Sequence, residues 1–194
     1  MSPSVHSNMC FVVMPFGKRD IGGSNYDFDE VFENIFSIAI SMVNLAEGGH
    51  LVPKRADSPS TSGIITDEMF RDILCSRIVL TDITGVNPNV FYELGVRHAL
   101  RPTSTVVFKE THVDIPFDVR NLRIFTYDIG GVKSIGNAIQ TIRTCLEESL
   151  KNNSFDSPVV AALKDDLEWP NYDIKFLGRY KLESWTDVQT RKDS

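Results

Sequence analysis

Asp82, Asn87, Asn89 and Glu93 crowd into one short run of this chain, Thr81-Asp82-Ile83-Thr84-Gly85-Val86-Asn87-Pro88-Asn89-Val90-Phe91-Tyr92-Glu93-Leu94-Gly95. Two carboxylates at one junction suit reactions in which positive charge develops on the substrate. One opposes that charge or attacks the reacting carbon, as in retaining glycosidases. The other positions hydroxyls or passes a proton. Glu93 is the candidate for the first role and Asp82 for the second. Each residue also has a plainer reading. Glu93 is four residues before Arg97, the spacing of a surface helical ion pair. Asp82 can satisfy loop amides in an Asx-turn. Asn87 suits a helix N-cap, and Asn89 shares the Glu93 face in the first turn.

The elements that must position these residues are legible around them. Arg77-Ile78-Val79-Leu80 is a short apolar run of the kind found in central parallel strands, and it places Asp82 at the strand's C-terminal end, where open α/β sheets bind ligands. Gly85 permits a sharp turn, and Pro88 suits the first position of a helix running to Leu100. Further strands are read at Cys10–Met14, at Leu51–Pro53, at Thr105–Phe108 and at Arg123–Tyr127. Pro53 pushes the second of these toward a sheet edge. Helical spacing covers Tyr26–Ala46, Ile64–Cys75 and Val132–Leu150, while Pro15–Asn25 reads as a Gly-rich charged loop. This alternation predicts a doubly wound α/β fold of flavodoxin-like type: a parallel five-stranded sheet in the order 2-1-3-4-5, with helices on both faces. Residues 1–152 form the expected domain. Residues 153–194 form a C-terminal extension that packs on it or on a partner subunit.

Two more loops follow strands at the same edge of that sheet. In Met14-Pro15-Phe16-Gly17, Phe16 can stack on a base or serve the core, and Gly17 lets backbone amides approach a phosphate. Lys18 and Arg19 are candidate phosphate contacts or solvated loop charges. Arg55 and Asp57 follow the second strand. The planar fork of Arg55 suits phosphate or carboxylate recognition, and an ordinary Arg–Asp surface pair is the alternative.

Composition narrows the function classes. A net charge of -6 argues against a nucleic acid duplex as partner. Cys10, Cys75 and Cys145 are isolated from one another, which argues against a disulfide framework or a zinc site and for a reducing compartment. No stretch approaches the ~20 apolar residues that span a bilayer, and residues 1–9 carry no signal-like apolar run. The expectation is a cytoplasmic protein without cofactor. His6, His50, His98 and His112 form no metal-ligand spacing, and no metal is expected.

The motif set resembles the nucleoside 2-deoxyribosyltransferase-like branch of the TIR-like superfamily. The resemblance rests on Met14-Pro15-Phe16, Arg55-Ala56-Asp57, Thr81–Gly85, Asn87–Gly95 and Ile115-Pro116-Phe117-Asp118, and spans roughly Cys10 to Tyr127. It implies a flavodoxin-like sheet and chemistry at the N-glycosidic bond of nucleosides, nucleotides or NAD. It also implies that Glu93 is the catalytic glutamate and Asp82 the sugar-binding aspartate. Cleavage by hydrolysis or base transfer is the leading expectation. A TIR-like NAD hydrolase and a non-catalytic nucleotide-sensing or scaffolding domain are the rivals. Small domains of this kind often complete pockets across subunits, and Trp169, Tyr172, Phe176, Tyr180 and Trp185 offer apolar anchors, so a homo-oligomer is expected.

Overall fold

A computed structural model of the protein describes residues 8–56, 67–152 and 156–163. β1 (Met9–Val13) is buried along its whole length. The segment after it, expected to be a loop, is a hairpin. In it, β2 (Lys18–Ile21) and β3 (Ser24–Asp27) pair antiparallel. Its turn is Gly22-Gly23, with φ of 62° and 84°, the left-handed pair that a type I′ turn needs. Helix α1 (Phe28–Val31) consequently starts later than the apolar spacing suggests. Tyr26 belongs to β3, and Asp27 caps the helix by accepting from the amides of Asp29 and Glu30. The helix continues through a π-helical stretch, Phe32–Phe36, into α2 (Ser37–Ser41), so it also ends short of the expected Ala46.

The remaining elements follow the expected alternation. They are β4 (Val52–Arg55), α3 (Asp67–Cys75), β5 (Ile78–Asp82), α4 (Pro88–Leu100), β6 (Thr105–Glu110), β7 (Ile124–Tyr127), α5 (Val132–Lys151) and α6 (Pro158–Leu163). Five strands form one all-parallel sheet in the order β4-β1-β5-β6-β7. This is the doubly wound, flavodoxin-like order. Pro53 sits in the edge strand β4, where its missing N–H leaves no ladder bond unmade.

The period-two alternation of the strands divides the core. Cys10 and Val12 of β1 and Ile78 and Leu80 of β5 pack with residues of α1, α2 and α5, among them Phe28, Ile40 and Ile142. Phe11, Val13 and Val79 pack on the other face with Ile73 of α3 and with Val90 and Leu94 of α4. Each fully buried aliphatic side chain contributes about 1.5–3 kcal/mol, so both layers are needed to hold the sheet. Burial also pushes the Cys10 thiol up to about 12, which marks it as a core residue rather than a reactive one.

Arg97 is the partner in the plainer, surface-pair reading of Glu93. Instead it is fully buried at the other end of α4. Its guanidinium donates to the carbonyls of Ile73 and Ser104 at 2.6 and 2.9 Å, and to the Thr105 hydroxyl at 3.3 Å. It thereby joins the end of α3, α4 and the start of β6. The described part of the C-terminal extension packs here on the same chain. Ser157 donates to the carbonyl of His98 at 2.6 Å, and Val160 is buried against α4. The tail aromatics Trp169, Tyr172, Phe176, Tyr180 and Trp185 lie outside the described residues. No helix among the described residues is long and apolar enough to cross a membrane.

Candidate active site

The strand–loop–helix junction has the expected outline, with its side chains sent to different places. Asp82 is the last residue of β5 and has no exposed surface. Its Oδ1 accepts from the Thr84 amide at 2.9 Å and from the Thr84 hydroxyl, and its Oδ2 accepts from the Tyr127 hydroxyl at 2.7 Å. The bond to the Thr84 amide is the Asx-turn that is the plainer of its two readings. Burial raises its pKa to about 6, against the lowering effect of these hydrogen bonds. Asp82 lies on the same β5 face as Leu80, toward α1, α2 and α5.

After Thr84 the backbone is strained. Gly85 has φ 80°, and the β-branched Val86 has φ 52° while exposing 44% of its surface. A left-handed valine costs of order 1–3 kcal/mol, and such strain concentrates at ligand-binding turns. Ile21 of the hairpin lies over this turn: a Cβ on Gly85 would sit 2.8 Å from Ile21 Cδ1. Gly85→Ala is therefore expected to destabilise the protein by about 1–2 kcal/mol through the forced φ and the displaced hairpin. Gly95→Ala, inside α4 and in open space, is expected to be neutral or to stabilise it by up to about 1 kcal/mol. Urea denaturation of the two variants checks both signs.

Asn87 then caps α4 and accepts from the Asn89 amide at 2.9 Å, with Pro88 at the first helical position. Asn89 is exposed and lies four residues before Glu93, so the two share a flank of the helix. Glu93 is half-buried, and no described residue forms a hydrogen bond or ion pair with its carboxylate. The surface pair with Arg97 is absent because Arg97 is engaged inside the protein. Burial alone raises the Glu93 pKa to about 7. Because α4 covers the Val79 face of the sheet, Glu93 and Asp82 serve opposite sides of it, joined by residues 83–87.

A second group gathers at the ends of β1 and β4. The Arg55 guanidinium lies 4.7 Å from the Phe16 ring centre and 4.8 Å from that of Phe32, and its Nη1 is 2.8 Å from Asp29 Oδ1. The Gly17 amide donates to the same Asp29 oxygen at 3.4 Å. Phe16, Gly17 and Arg55 are thus brought together, around an aspartate that sequence reading does not single out. Asp29 sits in the first turn of α1, where it reads as an ordinary helix-start acid; only the hairpin carries it under Arg55. Arg19 is exposed in β2, and Lys18 pairs with Asp27 across the hairpin at 3.4 Å. Asp57 lies outside the described residues.

A third set is absent from the sequence reading. Tyr26 donates from its hydroxyl to Glu110 Oε2 at 3.1 Å, and the Glu110 amide donates to the Thr84 hydroxyl at 2.8 Å. With Asp82 and Tyr127 these groups form a buried polar web under the hairpin. The signal that could have found it is the Gly-Gly hairpin turn, which moves Tyr26 out of the helix and over the sheet edge. A cavity of about 270 Å³ lies elsewhere, lined by Thr105, Arg123, Cys145, Glu148 and Asp156 among others. Thr105 and Arg123 are at the starts of β6 and β7, so this hollow is at the end of the sheet opposite Asp82.

No protein-family model matches the chain, and no curated protein matches it. The doubly wound parallel sheet and the chemistry at its strand ends therefore carry the functional reading.

Proposed function

We propose that this protein cleaves the N-glycosidic bond of a nucleoside or nucleotide, by hydrolysis or by base transfer, with Glu93 as the reacting carboxylate. The observation that carries this reading is a half-buried carboxylate, unpaired among the described residues, in the second turn of the helix that follows β5. Among the described residues that carboxylate has no partner to explain its burial, and perturbed acids of this type gather at functional sites. Ionised, it opposes the positive charge that develops on the sugar or attacks the anomeric carbon. The strained turn at Gly85 and Val86 and the exposed Asn89 shape its approach. In this reading Asp82 acts as a positioning residue: its Asx-turn and the Tyr127 bond fix the loop that delivers α4. Phe16 and Arg55 provide a flat, cationic wall for the base or phosphate, with Asp29 holding the guanidinium in place.

NAD carries an N-glycosidic bond of the same class and falls under the same chemistry. The test is incubation with NAD, ribonucleotides, deoxyribonucleosides and deoxynucleotides, with free base followed by chromatography. Release of base from at least one class is expected, and silence across the panel overturns the reading. Within an active class, Arg55→Ala is expected to raise KM for the nucleotide well above its effect on the matching nucleoside. Equal effects would assign Arg55 to holding Phe16 and Asp29 rather than to phosphate.

A further inference from the structure

The ends of β6 and β7 bring Asp128 beside Glu110 and His112, which stand two residues apart. One potential ligand atom from each lies within 4.8 Å of the others. We propose that these three residues form a binding site for a divalent transition-metal ion, with zinc as the best-matched ion. The inference is independent of the glycosidic reading, since neither Glu93 nor its helix takes part.

The first observation is the ligand set itself. An imidazole with two carboxylates suits zinc or a similar borderline ion, whereas magnesium and calcium favour oxygen donors alone. The second is Glu110. It is 1% exposed, so almost all of the side chain is set into the fold. Its Oε2 accepts from the Tyr26 hydroxyl at 3.1 Å and from the His112 amide at 2.7 Å, while its Oε1 receives no hydrogen bond from any described residue. No described lysine or arginine forms an ion pair with Glu110, Asp82 or Asp128. A largely enclosed carboxylate that keeps one oxygen free of described donors, with no described cation beside it, offers that oxygen as a metal ligand next to His112 and Asp128.

The third observation is the orientation of the ligands. Asp128 accepts from the Gly130 amide at 2.6 Å and from the Ser134 hydroxyl at 2.9 Å. Each of its oxygens keeps a lone pair, and the carboxylate is fixed as metal-binding carboxylates are. The Tyr26 hydroxyl does the same for Glu110. His112 is exposed, so the site opens to solvent on one side and leaves room for water to complete the coordination.

Calorimetric titration of the whole chain with zinc chloride is expected to show a single strong site. His112→Ala and Asp128→Asn, both at positions outside the core, are each expected to weaken that site at least ~10-fold, and Ser134→Ala by a smaller factor. Cobalt(II) is expected to give visible absorption bands with the native chain that are lost in His112→Ala. Metal-free melting curves confirm that the variants fold. The proposal is overturned if zinc does not bind, if His112→Ala binds it as tightly as the native chain, or if magnesium displaces zinc at equal concentration.

Discussion

Glu93→Gln is expected to lower base release by about a hundredfold or more, the scale of losing a key electrostatic stabiliser, while making the folded chain more stable above pH 7. The two effects have one cause. Burial raises the Glu93 pKa from 4.5 to about 7. Because the folded value lies above the unfolded one, the folded state holds its proton more tightly, and this contribution to stability is complete below pH 4.5. It is lost as the pH rises through 7, where the protein must keep an ionised carboxylate in a half-buried place. Glutamine has the same shape and no such cost. The variant should therefore match the native chain near pH 4 and exceed it by about 1–3 kcal/mol at pH 8. Thermal or urea melts at the two pH values check this. A variant less stable than the native chain at pH 8 would mean that Glu93 has a structural partner after all.

The largest loss of stability is expected at Arg97. Arg97→Met keeps much of the side-chain volume and removes every donor. The Ile73 carbonyl then loses its buried donor, while the Ser104 carbonyl keeps the Val79 amide and the Thr105 hydroxyl keeps Asp156. An unsatisfied buried carbonyl costs about 1–3 kcal/mol, and with the weakened bonds at Ser104 and Thr105 a total of about 2–4 kcal/mol is expected in urea denaturation. Arg97→Lys should recover only part of it, because an ammonium cannot reach two chain segments with one planar fork. Burial pulls the Arg97 pKa down to about 9, so the group still carries its charge near neutral pH. A loss below about 1 kcal/mol in Arg97→Met would contradict the bridging role.

These two residues show how far the sequence could be read. The Pro88–Leu100 helix was legible to its ends because Asn87, Pro88 and the residues after them supply explicit start signals. The order of the five parallel strands followed from the alternation of elements. The inward turn of Arg97 was not legible because helical spacing does not say which polar residue is buried; contacts with residues 73 and 104 decide it. The hairpin was missed because its strands are short and polar, so only Gly22-Gly23 marks it. That one omission hid Tyr26 and Asp29 from the site and left Glu110 without an evident partner. Phe16 and Arg55 could each be set at the same edge of the sheet in advance because both lie at the ends of parallel strands, but their contact was not legible. The division of Asp82 and Glu93 between the faces of the sheet depends on the parity of a five-residue strand, which a boundary shift of one residue reverses.

The most direct test follows free base released from the substrate panel between pH 6 and 8, by the native chain and by Glu93→Gln side by side. Ionised Glu93 is the reacting form, so kcat/KM of the native chain is predicted to rise with pH and level off above about 7. The variant is predicted to be at least ~100-fold slower across the range. No base released from any substrate, or equal release by the two chains, would contradict the account.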